Sequence, residues 1–195
     1  MRVSRIIFGI IGLMLVVGVF ITPAAHADTL SAMHTFGVQL PRTEKPAPDF
    51  TLRTLSGKPV TLHALRGKFI LLHFWATWCV PCREEMPKLH TLAQTFAGQP
   101  LQIVCINVDR GNRDGVQQFI DRVTPGFHTL LDPSGEVRRA YAIRMLPTTY
   151  LINPHGHIIG RIMGERDWSS PAAHAMLAPM IETHIKENHH ATTHP

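Results

Sequence analysis

The chain has 195 residues, enough for one ordinary domain with short extensions. Hydrophobic residues at 45% and charged residues at 17% argue against disorder and allow a packed core. The formal charge of +5 comes without a basic run or an aromatic-interleaved patch, which argues against nucleic acid as a partner, and three cysteines are too few for a disulfide-built secreted scaffold.

Arg2 and Arg5 precede an apolar run over 6–21, followed by Ala25-His26-Ala27. A basic start, an apolar stretch and a small-x-small site predict a secretory signal peptide over 1–27, cleaved after Ala27. An uncleaved anchor is the rival reading, although the run is shorter than the roughly 20 residues that cross a bilayer comfortably; both readings imply export. Cleavage would leave 17 Lys and Arg against 14 Asp and Glu, a formal charge of +3. Residues 28–45 read as a linker, the ordered domain as 46–187, and 188–195 as a histidine-containing tail.

Phe50-Thr51-Leu52 and Val60-Thr61-Leu62 alternate with period two around Ser56-Gly57-Lys58, which predicts a hairpin. The near-continuous apolar run Phe69–Trp75 predicts a strand buried on both faces. A helix follows to about Phe96, with Pro87 inside it, and then a second buried strand from Leu101 to Val108. Asn112 caps a predicted helix to Val123; Thr129–Leu131 reads as a short strand and Glu136–Ala142 as a helix. A final hairpin pairs Thr148–Ile152 with His157–Met163 across a turn containing Gly156. Ser170 and Pro171 open the last helix, to about Glu187. Strands alternating with helices predict an α/β sheet with helices on both faces.

The chemistry centres on Trp78-Cys79-Val80-Pro81-Cys82. Haem attachment would require a histidine where Arg83 stands, and a zinc site would need further ligands that Cys105 and the scattered histidines do not supply. An inert disulfide would close too small a loop to stabilise much. Redox exchange remains. The pair falls between a buried strand and the first turn of a helix, where unpaired N–H groups and the macrodipole favour a thiolate at Cys79. Because intrinsic nucleophilicity falls with pKa, tuning this position sets redox poise more than speed. Cys79 is expected exposed at the tip and Cys82 shielded one turn in. Cys79 would attack and Cys82 would resolve. The dithiol is itself the redox centre, so no bound cofactor is required. Cys105 reads as a small apolar residue in a central strand.

The segment Phe74-Trp75-Ala76-Thr77-Trp78-Cys79-Val80-Pro81-Cys82-Arg83 resembles the active site of thioredoxin-like proteins of the TlpA/ResA type. Ala47-Pro48-Asp49-Phe50 resembles that family's domain start and Leu146-Pro147-Thr148-Thr149-Tyr150-Leu151-Ile152 its cis-proline segment; Gly164-Glu165-Arg166-Asp167-Trp168 is similar to another family stretch. The resemblance covers about 46–187. It implies a thioredoxin-like α/β fold, with a central mixed sheet flanked by helices, an N-terminal hairpin extension and a central βα insertion. It also implies a periplasmic location and a reducing role toward disulfides of specific proteins, among them apocytochrome c and copper-site assembly proteins of cytochrome oxidase. A membrane protein passing electrons from the cytoplasm would re-reduce the pair.

The resemblance further implies a cis Leu146–Pro147 bond beside the disulfide, leaving the Leu146 backbone to pair with a partner's extended chain; an ordinary trans proline is the alternative. Trp78, with Pro81, would shape the docking surface. The resemblance places a functional carboxylate at Glu85, three residues after Cys82, able to relay its proton; a solvated Glu like Glu84 is the alternative. His73 departs from the family, which often carries a neutral polar residue there. It could take a proton from Cys82, or be a buried histidine satisfied locally. Two other functions compete with the reductase. A copper carrier could use Cys79, Cys82 and Met86, Met145 or a histidine, since soft ligands suit Cu(I). A thiol peroxidase would want one peroxide-reactive cysteine, against which the tight pair argues. His184, His189, His190 and His194 form either a weak metal tract or a solvated tail.

Overall fold

The computed structural model of the protein describes residues 23–192, with side chains described over 27–189. Its elements in chain order are α1 (Pro23–Thr35), β1 (Lys45–Pro46), β2 (Thr51–Thr54), β3 (Pro59–Thr61), a 3-10 turn (His63–Leu65), β4 (Phe69–Trp75), α2 (Val80–Thr95), β5 (Leu101–Asn107), α3 (Arg113–Val123), β6 (Thr129–Leu131), α4 (Glu136–Ala140), β7 (Thr148–Ile152), β8 (His157–Met163) and α5 (Pro171–Thr192). They build one eight-stranded mixed sheet in the order β1-β8-β7-β4-β5-β6-β2-β3.

β4 is at the centre of that sheet because its sequence is apolar on both faces except at His73. All seven residues are buried, and strands cover both edges: β5 runs parallel from Phe69 opposite Leu101 to Trp75 opposite Asn107, and β7 runs antiparallel from Ile70 opposite Ile152 to Phe74 opposite Thr148. β6 adds parallel to β5. The β2–β3 hairpin, which alternates in sequence, adds antiparallel to β6 and forms one margin of the sheet. Paired this way, the C-terminal end of β4 delivers the chain into the Cys-x-x-Cys turn with its direction fixed on both sides.

The first extension departs from the linker expected over 28–45. Instead, α1 packs on α5, and Met33, Phe36 and Val38 are buried in the core. After α1, Gly37 at φ +85° turns the chain, and Gln39 pairs with Arg161 of β8 through two backbone hydrogen bonds of 2.7 and 3.0 Å. No period shows in the sequence because the segment changes conformation between its buried residues, so each comes from a different local geometry. The predicted signal segment falls outside the described residues through position 22, and residues 23–27 already belong to α1. The expected tail also differs, since α5 continues through 188–192. His184 belongs to the packed helix: its ring meets Phe69 edge-on at 5.7 Å and its Nε2 lies 3.2 Å from the Gly67 carbonyl. Side chains of His190 and His194 lie outside the described set. Among the described residues no helix is long and apolar enough to cross a membrane.

Candidate active site

The turn between β4 and α2 is held from the neighbouring strand. Asp109, just past β5, accepts the Thr77 amide on both carboxylate oxygens at 3.2 Å, and its own amide donates to Asn107 Oδ1 at 3.1 Å. Asn112 stands at the N-cap position of α3 but makes no capping bond; its Nδ2 reaches Thr77 Oγ1 at 3.5 Å. These contacts fix the turn so that Cys79 becomes the N-cap of α2, with Pro81 in the first helical turn, where a missing N–H costs nothing.

Cys79 and Cys82 are joined, with S–S 2.04 Å and Cα–Cα 5.3 Å. The exposed side chains at this tip are Trp78 (65%) and Val80 (60%) rather than the expected Cys79, which keeps 6% of its surface, while Cys82 keeps none. The two sulfurs are unequal in the expected order, but the first is partly sheltered by its neighbours. Across the tip the Leu146–Pro147 bond is cis. The loop that carries it is pinned by Thr148 Oγ1 donating to the Met145 carbonyl at 2.9 Å and by the Gly164 amide donating to the Pro147 carbonyl at 2.9 Å. Among the described residues, no hydrogen bond engages the Leu146 backbone.

Beneath the pair lies a polar cluster that composition would not suggest. The buried face of α2 carries Cys82, Glu85, Met86, Leu89 and Leu92. Glu85 is buried, unlike the exposed Glu84. Its Oε1 accepts the Arg166 amide at 2.6 Å and Trp168 Nε1 at 3.0 Å. Burial pushes the Glu85 carboxyl up to about 7; the two donated hydrogen bonds pull the other way and are outweighed. His73 sits in register with Cys105 on one side and Thr149 on the other, so the three side chains share one face of the sheet. Its Nδ1 pairs with Thr149 Oγ1 at 2.9 Å, and its Nε2 lies 3.8 Å from Glu85 Oε2. Neither of those last two atoms has a hydrogen-bond partner. Burial holds His73 down to about 3, and holds the Cys105 thiol well above its ordinary range, with the Glu85 charge adding to the effect. His73 is therefore neutral, and Glu85 is the group poised to change its proton near neutral pH.

The structure thus brings Cys79, Cys82, Trp78, Pro81, Leu146, Pro147, Glu85 and His73 to one end of the sheet. Met86 is fully buried in the core and Met145 is 47% exposed. Sequence reasoning missed Thr149, Trp168 and the Arg166 amide. Thr149 follows from a strand register between residues 76 apart, which no local pattern encodes. Trp168 lay in a segment noted for its resemblance alone; a tryptophan in a polar stretch, with an N–H that needs a buried partner, was the available signal.

A mixed sheet whose central strand feeds a disulfide at a helix N-cap, opposite a cis proline, defines a thioredoxin-like thiol–disulfide oxidoreductase. The chain matches the sequence profile of the AhpC/TSA family over residues 43–161, and it belongs to that family. It is 37% identical to the thiol-disulfide oxidoreductase ResA of Bacillus subtilis over 118 residues, which are 60% of this chain and 65% of that protein. It is 30% identical to ResA of Bacillus thuringiensis subsp. konkukian over 166 residues, 85% of this chain and 92% of the relative. A thiol:disulfide interchange protein of Chlorobium tepidum superposes with a TM-score of 0.62 at 28% identity, covering 71% of this chain and 99% of that one. StoA of Bacillus subtilis gives 0.57 at 26% identity, covering 65% and 96%.

Proposed function

We propose that the protein is an exported reductant of disulfides in specific partner proteins, working through Cys79 and Cys82. The observation that carries the reading is the asymmetry of the pair: one sulfur at the helix cap beside an exposed indole, the other fully buried on the helix face that carries Glu85. In the dithiol form, the Cys79 thiolate attacks one sulfur of a partner's disulfide. A mixed disulfide forms, and the partner's other sulfur leaves as a thiolate and is protonated. Cys82 then gives up its proton, its thiolate attacks Cys79 Sγ, and the partner's first sulfur leaves and is protonated in turn. Two electrons and two protons have passed to the partner, and the 79–82 bond remains. A membrane-bound dithiol donor returns the electrons. Glu85 takes the Cys82 proton, because a carboxyl held near 7 can accept at neutral pH and hand on again. The Arg166 amide and Trp168 Nε1 orient that carboxyl, and neutral His73 lies 3.8 Å from its other oxygen.

The reducing direction, the periplasmic location and the partners, cytochrome c maturation or copper-site assembly, rest on the resemblance of residues 74–83 and on the basic, apolar and small-x-small N-terminal segment. The decisive experiment is trapping. A Cys82→Ala chain expressed in its exported form is expected to accumulate mixed disulfides through Cys79 that dissolve in reductant, and mass spectrometry then names the partners. Redox titration tests the direction: a 79–82 potential near −120 mV, that of a strong oxidant, would overturn the reductant assignment. Glu85→Gln is expected to shift the pH profile of Cys82 reactivity, and an unmoved profile removes Glu85 from the proton path.

A further inference from the structure

Beside the catalytic tip, on the β5 side and away from the cis proline, lies a basic cleft that disulfide exchange itself does not use. It consists of two adjoining hollows of about 340 and 330 Å³ that share Val108, Arg110 and Arg138. The first opens at Trp78, and the second ends at Arg139 and Ile143. Among the described residues, neither the Arg110 nor the Arg138 guanidinium has a hydrogen bond or ion pair with the protein, whereas Arg139 donates to the Ser134 carbonyl at 3.0 Å. One carboxylate lines the cleft, that of Asp109, whose two oxygens share the single Thr77 amide at 3.2 Å. Nearby Asp132 is buried and accepts the Arg138 amide at 2.8 Å. Three guanidiniums therefore face one carboxylate, an excess of positive charge between apolar walls supplied by Trp78, Val108 and Ile143. Unpaired guanidiniums in that setting suit bidentate carboxylates, and the apolar walls suit the rest of a peptide.

We propose that this cleft seats an acidic stretch of the protein substrate, a run of Asp or Glu flanking the cysteine that Cys79 engages. The inference rests on the exchange reading of Cys79 and specifies its substrate. A hollow of this volume is roughly 9 Å across, and extended chain rises about 3.3 Å per residue, so a segment crosses it in about three residues. The carboxylates then fall within a few residues of the chain over Trp78. Opposite charge at this position speeds encounter and orients the partner's disulfide toward Cys79, the less buried cysteine of the pair.

The test uses reduced protein and three peptides, each with the same internal disulfide, flanked by Asp and Glu, by Asn and Gln, or by Lys. Hydroxyethyl disulfide serves as a small uncharged control. At low salt the acidic peptide is expected to react roughly tenfold faster than the neutral one, and the Lys peptide slower still. The differences should shrink at 0.5 M salt, where charges are screened beyond a few ångströms. The double variant Arg110→Gln/Arg138→Gln should lose the preference while keeping the wild-type rate on hydroxyethyl disulfide. Arg110→Lys/Arg138→Lys, which keeps the charge but not the bidentate fork, should keep part of it, and Arg42→Gln/Arg122→Gln, with the same change in net charge as the first double variant, should retain it in full. Rates in wild type that ignore peptide charge, or a preference that survives Arg110→Gln/Arg138→Gln, overturn the proposal. No exchange with hydroxyethyl disulfide would instead sink the redox reading beneath it. If the glutamine variant fails to fold, the charge and salt dependence of the wild-type protein decides alone.

Discussion

Glu85 and His73 act on folding stability in opposite directions as pH changes. Glu85 titrates near 7 when folded against an ordinary 4.5, so between those values the folded chain binds more protons than the unfolded one. The stability linked to Glu85 is present below 4.5 and lost as pH rises to 7. His73 titrates near 3 when folded against 6.5, so the unfolded chain binds more protons in that interval. Its share is present above 6.5 and lost as pH falls toward 3. From 4.5 to 6.5 the slopes oppose, each amounting to about 3 kcal/mol. Glu85→Gln, whose amide oxygen can still accept from Trp168 and Arg166, should expose the His73 slope, with stability falling on acidification below 6.5. His73→Asn should expose the other, with stability rising as pH drops from 7 to 4.5. Urea midpoints at three pH values check both, and parallel profiles in the two variants would refute the assignment. At this scale the sequence showed the cysteine pair outright, because two-residue spacing on a helix start is local. Burial of Glu85 was one of two readings that the sequence left open. Spacing puts Glu85 on the Cys82 face, but a glutamate beside Glu84 reads equally as solvated until the Arg166 and Trp168 donors, more than 80 residues away, are placed on it.

The strands were legible as elements because their signals are short and strong: a seven-residue run for β4, apolar except at His73, and strict alternation for the β2–β3 hairpin. The N-terminal arm was not, although it bears on the site. Phe36 packs on Trp168 with ring centroids 5.0 Å apart, and Arg166 Nε donates to the Phe36 carbonyl at 3.0 Å. The loop that supplies both hydrogen bonds to Glu85 is thus clamped by a segment that reads as a linker. Arm and sheet pack tightly at Gly160 of β8, where an added Cβ would stand 2.5 Å from Val38 Cγ1. That glycine is required by packing rather than by backbone angle. Gly160→Ala should destabilise by roughly 1–3 kcal/mol, the usual range for overpacking. Adding Val38→Ala should then cost less than it does in the wild-type chain, because it removes the clashing methyl groups. Chemical denaturation of the four chains gives the coupling directly, and additive effects would mean that the arm does not press on β8 there.

For the molecule as a whole, the open matter is where the folded unit starts. The expected domain began at 46, yet the core reaches back to Met33, and the proposed cleavage after Ala27 falls within α1. Cleavage there and an intact fold are compatible in that, among the described residues, the buried ones of the arm lie beyond it: Met33, Phe36 and Val38 stay with a chain beginning at Asp28. A chain beginning at Gln39 loses all three and uncovers Trp168 and α5. Truncating one such core side chain to alanine costs about 2–5 kcal/mol for Met or Phe. For a domain of this size each kcal/mol moves the unfolding midpoint by roughly 2–4 °C. The chain from Asp28 should therefore melt within a degree or two of one starting at Pro23, and the chain from Gln39 should melt lower by roughly 10 °C or more. Calorimetry on the three chains measures this. Equal midpoints would make the arm an appendage and restore the shorter domain, whereas a graded loss between the first two would place part of the structural unit inside the segment that the proposed cleavage removes.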